Sequence, residues 1–177
     1  MRKNNYIALA KKASGIQINE LKKIKKVFNH SFVKAVDLIL NCKGKIIFAG
    51  VGKSGLIAKK ISATFSSVGI PSFFCDPAQA LHGDMGQIEK KDILIIFSYS
   101  GNTSELNNML KYANRFRIKV IGVASKPDSV LLKASDIKLI LPKVKESDIT
   151  GMVPTSSTTI TLLLGDCLAT TVMHQRK

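Results

Sequence analysis

Short apolar runs alternate with helix-spaced segments along most of this chain, and few architectures satisfy that alternation. Lys45–Ala49, Ser72–Cys75, Asp92–Ser98, Lys119–Ala124 and Ile137–Leu141 read as strands. Ser54–Ser67, Ser104–Phe116 and Val130–Ala134 carry helical spacing. Pro154-Thr155-Ser156-Ser157 opens a last helix, with hydroxyls placed to cap it. Apolar strands that alternate with helices build βαβ units, in which a parallel sheet is covered on both faces. The expected fold is α/β: a three-layer αβα sandwich around a five-stranded parallel sheet, flavodoxin- or Rossmann-like. In such sheets ligands bind beyond the carboxyl ends of the strands, at a topological switch point.

At 177 residues one domain is expected, 1–177, with N-terminal helices over about 3–41 and the parallel core over about 45–174. Asn19–Asn41 reads as one long amphipathic helix capped by Asn19. Leu21, Ile24, Val27, Phe32, Val36 and Ile39 recur at helical spacing, and the lysines fall mostly on the opposite face. A shorter helix around Tyr6–Ala13 precedes it. There is no internal repeat, low-complexity tract or interior linker.

A net charge of +15 suggests an anionic partner: nucleic acid, an acidic membrane surface or a phosphorylated metabolite. The charge is mostly lysine, scattered apart from Lys22-Lys23 and Lys25-Lys26; the arginines are Arg2, Arg115, Arg117 and Arg176. Scattered lysine is more often a solvated surface than a base reader. With no RNP, zinc-finger or basic-zipper signature, nucleic acid is not expected as the partner. Cys42, Cys75 and Cys167 are far apart and lack C-x-x-C spacing, which indicates no disulfide framework or zinc ribbon and fits a reducing compartment. MRKNNYIALAKKAS has no continuous apolar run, so no signal peptide is expected. Ile160–Met173, the most apolar segment, is too short and polar to span a bilayer, and no membrane partner is expected.

The first strand runs into Gly50-Val51-Gly52-Lys53-Ser54-Gly55. A P-loop would need glycine five residues before Gly52, where Ile47 stands inside the strand. Gly50, Gly52 and Gly55 do spell G-x-G-x-x-G between a strand and a helix, and Asp76 stands near the place of a ribose-binding acid. Against a dinucleotide, Lys53 and Ser54 put a cation and a hydroxyl where that fingerprint is usually neutral, and Asp76 runs straight into Pro77. A second loop, Ser98-Tyr99-Ser100-Gly101-Asn102-Thr103, follows the third strand and opens a helix. Its hydroxyls and free backbone N–H groups make an anion site. A phosphorylated sugar uses such donors and acceptors, whereas a dinucleotide domain does not need them there. Simple helix capping is the plainer alternative.

The combination G-x-G-K-S-G, S-x-S-G-x-T and the P-T-S-S-T-T of Pro154–Thr159 resembles a sugar isomerase (SIS) domain. Within that superfamily it resembles the D-arabinose 5-phosphate isomerases. The pieces that carry the resemblance are GVGKSGLIAKKISATFSSVGIPSFF, PAQALHGDMG, SYSGNTSEL and PTSSTTITLLLGDCLA, spread over most of the chain. The resemblance implies interconversion of D-ribulose 5-phosphate and D-arabinose 5-phosphate through an enediol, toward the Kdo sugar of lipopolysaccharide. It also implies a cytoplasmic homotetramer with sites at subunit interfaces, and no cofactor.

That reaction needs a base near the carbon acid, a group that stabilises the developing oxyanion and an acid for ring opening. Glu105, beside the second loop, is the candidate base, although a first-turn glutamate also complements a helix dipole. Lys53 suits the oxyanion or the phosphate, and His82 suits ring opening or a sugar hydroxyl. Glu146 lies in the irregular stretch after the fifth strand, where a solvated charge is the plainer reading. The resemblance implies catalytic roles for Lys53, Glu105, Glu146 and His82. It implies substrate contacts at Gly52, Ser54, Gly69, Ile70, His82, Ser98, Ser100, Gly101, Asn102, Thr103, Ser156 and Thr158.

The chain departs from the family pattern in several places. It stops at Lys177, before the family's further His-Pro-Gly histidine and its paired CBS domains, and His174 is not given that role. Asp76 replaces a histidine associated with a metal, so no metal is expected. Asn102 stands where an acidic residue is common, and Tyr99 where asparagine is. Glu146-Ser147-Asp148-Ile149-Thr150 lacks a Cys-Pro-Leu. The competing readings are a non-catalytic sugar-phosphate sensor, a nucleic-acid binder and a nicotinamide oxidoreductase. Apolar stripes on the N-terminal and last helices favour an oligomer, unless both simply cover the sheet.

Overall fold

A computed structural model of the chain describes residues 4–176. In chain order the elements are α1 (Asn4–Leu21), a 3-10 turn (Lys22–Val27), α2 (His30–Leu40), β1 (Ile46–Gly50), α3 (Lys53–Ser67) and β2 (Ser72–Phe74). Two 3-10 turns (Ala80–His82 and Asp84–Gln87) lead to β3 (Ile93–Phe97), α4 (Leu106–Phe116), β4 (Lys119–Ala124), α5 (Val130–Ala134), β5 (Ile137–Ile140) and α6 (Ser156–Gln175). The strands form a five-stranded sheet in the order β2-β1-β3-β4-β5, parallel at every pairing. The expected α/β sandwich is the fold observed, with strand and helix ends displaced by a residue or two from the sequence reading.

The sheet is buried on both faces because its strands are apolar at successive positions. In β1, Ile46 and Phe48 join one core with Ile61 and Phe65 of α3 and with Ile160, Leu164 and Leu168 of α6. The alternate residues Ile47 and Ala49 join a second core with Leu106 and Met109 of α4 and Leu131 of α5. Asp92, itself buried, aligns the amino ends of β1 and β3: its carboxylate accepts from the N–H groups of Lys45 at 2.7 Å and Glu89 at 2.8 Å. No helix among the described residues is long and apolar enough to cross a membrane.

The N-terminal region differs from the sequence reading. The single helix over Asn19–Asn41 is divided, and Asn19 lies inside α1 instead of capping anything. Asn29 is the cap, its side-chain oxygen accepting from the Ser31 N–H at 2.8 Å at the start of α2. Leu21, Ile24 and Val27 are three residues apart, a spacing that suits a 3-10 turn as well as an α-helix, so periodicity could not show the break. The expected start of the N-terminal helices at residue 3 lies outside the described residues.

Candidate functional site

The chain passes from β1 outward to β2 and then returns past β1 to β3, so the direction of winding reverses between β1 and β3. Such a switch point opens a crevice at the carboxyl ends of the two strands. The register pairs Gly50 with Phe97 across the last rung of β1 and β3. The loops that begin at Val51 and Ser98 therefore leave the sheet side by side. This register is what brings Gly52, Lys53 and Ser54 together with Ser98, Ser100, Gly101, Asn102 and Thr103.

Gly52 precedes α3 with φ 58°. The first helical backbone bonds run from Gly55 to Val51 and from Leu56 to Gly52, which leaves the earlier Lys53 and Ser54 amides at the open N-terminus. A side chain at Gly55 would put its Cβ 2.6 Å from the Gly50 carbonyl oxygen, so the glycine lets α3 begin directly against the strand end. Lys53 is exposed and takes part in no ion pair among the described residues.

The second loop is more tightly bound into the fold. Ser98 Oγ lies 2.8 Å from Thr103 Oγ1 and accepts from the Gly101 N–H at 3.1 Å. Ser100 Oγ accepts from the Asn102 N–H at 3.3 Å, and Asn102 Oδ1 accepts from the Val130 N–H at 2.9 Å. Ser98 is thus buried and occupied, while Ser100, Asn102 and Glu105 face solvent. Glu105 occupies the N-cap position of α4 instead of its first turn, and Ser104 Oγ donates to its carboxylate at 2.9 Å. Its own backbone N–H and then the Ser104 hydroxyl hold the carboxyl below its ordinary range, in the ionised form a base requires.

Glu146 has a definite structural partner. Its Oε2 accepts from the Thr155 N–H at 2.7 Å, from Thr155 Oγ1 at 2.9 Å and from the Ser157 N–H at 3.3 Å. This carboxylate caps α6; Thr155 stands at the N-cap position, but the expected side-chain hydroxyl cap is absent there. The anion satisfies two orphan amides and the helix dipole together, which a neutral hydroxyl does less well. Gln17 of α1 donates to Ser147 Oγ and accepts from Thr159 Oγ1, both at 3.2 Å, while Glu20 accepts from the Lys145 N–H at 3.1 Å. Gln17 and Glu20 were not singled out from the sequence, where they read as ordinary polar positions on a helix.

Burial pushes the Glu146 carboxyl up, and the Ser157 and Thr155 hydrogen bonds outweigh it, leaving it below the ordinary 4.5. A depressed carboxyl stabilises the fold above its unfolded value, and that contribution is lost as pH falls through the folded value. The Tm gap between the parent chain and Glu146→Gln is therefore expected near neutrality and should close as pH drops below 4.5. A gap that ignores pH would remove the charge from this role.

The remaining predicted residues divide. His82 ends an exposed 3-10 turn in the crossover between β2 and β3. Ser156 and Thr158 stand in the first turn of α6; Thr158 Oγ1 donates to the Thr155 carbonyl at 2.8 Å, and Ser156 Oγ is buried with no partner among the described residues. Gly69 and Ile70 do not join the cluster. They precede β2 at the amino ends of the strands, where Ile70 is buried in the core and the Gly69 carbonyl accepts from Arg176. Within one chain the whole sheet separates them from the two loops. Among the described residues no group of three or more His, Cys, Asp or Glu side chains is arranged to hold a metal ion.

The loops form an open shelf, because Gly52, Lys53, Ser100, Asn102 and Glu105 are all exposed. Two hollows among the described residues lie away from these loops. One of about 360 Å³ is lined by Asn114, Arg117 and Asp136 at the amino ends of β4 and β5, and one of about 500 Å³ by Leu81, Tyr112 and Phe116 beside α4.

A family model described as SIS domain matches residues 39–171. Arabinose 5-phosphate isomerase KdsD of Pseudomonas aeruginosa is 40% identical over 172 residues, which are 97% of this chain and 53% of that protein. Arabinose 5-phosphate isomerase KpsF of Escherichia coli O6:H1 is 41% identical over 153 residues, 86% of this chain and 47% of that protein. The chain thus spans about half the length of the curated relatives it matches. Among solved structures, E. coli CFT073 c3406 in complex with arabinose 5-phosphate superposes with a TM-score of 0.95 at 32% identity, over 99% of this chain and 94% of that one.

Proposed function

The chain belongs to the SIS domain family, and from that premise we propose that it is an aldose–ketose isomerase acting on D-arabinose 5-phosphate and D-ribulose 5-phosphate. The observation that carries the reading is the Gly50–Phe97 register, which sets GVGKSG and SYSGNT side by side at the switch point. The names of the relatives and the arabinose 5-phosphate held by the structural neighbour select the five-carbon sugar phosphate.

In this reading the phosphate sits on the amides and hydroxyls of the Ser98–Thr103 loop at the start of α4. Glu105 takes the C2 proton of the open-chain aldose and returns it to C1, while a proton passes from O2 to O1. Lys53 bears the negative charge that develops on the enediol oxygens. His82 assists ring opening or holds a sugar hydroxyl. The exposed shelf, together with Tyr6, Ile7, Leu9 and Ile18 left exposed on α1, supports a homotetramer in which neighbouring subunits close the site. A cytoplasmic place at the head of Kdo synthesis accompanies this substrate.

Incubation of the purified chain with arabinose 5-phosphate is expected to yield ribulose 5-phosphate. Binding without turnover would leave a sugar-phosphate sensor, and a thermal shift with NAD but with no sugar phosphate would overturn the reading. Glu105→Gln should lower kcat by roughly 100-fold or more while keeping the thermal shift given by the sugar phosphate. Unchanged turnover would take the proton transfer away from Glu105.

A further inference from the structure

Tyr99 stands between Ser98 and Ser100 in the phosphate loop, yet its side chain turns inward and is half-buried. Its hydroxyl donates to the Pro142 carbonyl at 3.1 Å and accepts from the Val144 N–H at 2.8 Å. Its own carbonyl accepts from the Ser125 N–H at 2.8 Å and from Ser125 Oγ at 2.7 Å. The residue is therefore fastened to the end of β4 through its backbone and to the segment leaving β5 through its phenol. Glu146 lies two residues beyond Val144. Other ties on that segment come from Glu20 and Gln17 of α1 and from Thr155 and Ser157. Of these anchors, Tyr99 is the one that belongs to the loop assigned to the phosphate.

We propose that Tyr99 is a positioning residue that couples the Ser98–Thr103 phosphate loop to the segment carrying Glu146, so that a phosphate on the loop steadies Glu146 and the start of α6. The proposal rests on the sugar-phosphate isomerase reading. One phenol oxygen satisfies a backbone donor and a backbone acceptor of the same segment, and a loop shift moves both bonds at once. Burial above all, with a smaller contribution from the charge of Glu146, favours the protonated phenol, so the hydroxyl remains a donor to Pro142. Phenylalanine would keep the ring and leave the Val144 N–H and the Pro142 carbonyl without their partner.

The test is Tyr99→Phe in the purified chain, with arabinose 5-phosphate as the probe. kcat should fall by about ten-fold with KM held within about two-fold, since the phosphate contacts themselves are untouched. Amide exchange at Val144, Thr155 and Ser157 should quicken by at least about ten-fold while the amides of β3 keep their rates. Saturating arabinose 5-phosphate should slow the Val144 amide in the parent chain and not in the variant. Unchanged exchange at Val144, exchange raised equally through β3, or a normal kcat despite faster exchange would each overturn the coupling. If the parent chain turns over no sugar phosphate, the isomerase reading falls by itself. The exchange arm still judges Tyr99, and a Val144 amide in the parent that ignores the sugar phosphate overturns the proposal.

Discussion

Replacing Lys53 with methionine is expected to lower kcat/KM for arabinose 5-phosphate by roughly 100- to 1,000-fold, the loss typical of deleting one group that stabilises an oxyanion. Lys53 is the first residue of α3, immediately after the turn at Gly52, and its ammonium meets no carboxylate among the described residues. A lysine already neutralised by a neighbour could offer a substrate little. An unpaired one at a helix N-terminus adds its charge to that of the free amides. Methionine keeps most of the stem and removes the charge. The effect should fall mainly on kcat if the charge answers the enediolate, and mainly on KM if it holds the ground-state phosphate. A change of less than about three-fold in both would take Lys53 out of the site altogether.

The second large effect concerns folding. Gly101→Ala is expected to cost roughly 2 to 6 kcal/mol, the sum of a strained backbone and an overpacked contact. Gly101 has φ 70°, and a Cβ there would lie 2.2 Å from Ser129 Oγ and 2.4 Å from Ser129 Cβ. Ser129 cannot easily yield, because it is buried and its hydroxyl caps α5 by accepting from the Leu132 N–H. The Gly101 carbonyl is also engaged, accepting from the Leu131 N–H at 3.0 Å. Gly52→Ala is the natural control. That glycine also has positive φ, at 58°, but a Cβ there would meet nothing within 4 Å, so only the backbone term of about 1 to 3 kcal/mol applies. Thermal unfolding of the two variants should separate them, with Tm falling further for Gly101→Ala. Equal losses would show that the contact with Ser129 relaxes without cost.

The residues that were legible from the sequence are those whose signal is local. The runs at Ile46–Gly50 and Ile93–Phe97 are apolar at every position, and only a strand covered on both faces accepts that. The glycine loop after one and the serine loop after the other follow from the same reading, because parallel strands deliver their carboxyl-end loops to one edge. Glu146 was legible as a residue of interest but not as the cap of α6. An irregular segment carries no periodicity that names its partner. Gly69 and Ile70 were carried over with a motif, and a motif preserves residue identity without saying at which end of the sheet it falls. The break between α1 and α2 was hidden for a different reason: the 3-10 turn repeats every three residues and imitates the helix it interrupts.

By itself the sequence determined the α/β class, the parallel sheet and the two loops at the carboxyl ends of its strands, because strand, turn and helix signals each act over a few neighbouring residues. Only the tertiary structure decided what those loops are attached to. Tyr99 meets Val144 across 45 positions, and Gln17 meets Ser147 across 130. Hydrophobic pattern tells each element which face to bury, but a buried polar atom takes whichever partner the packed chain brings within hydrogen-bond reach. That choice exists only once the sheet and its helices have closed around it.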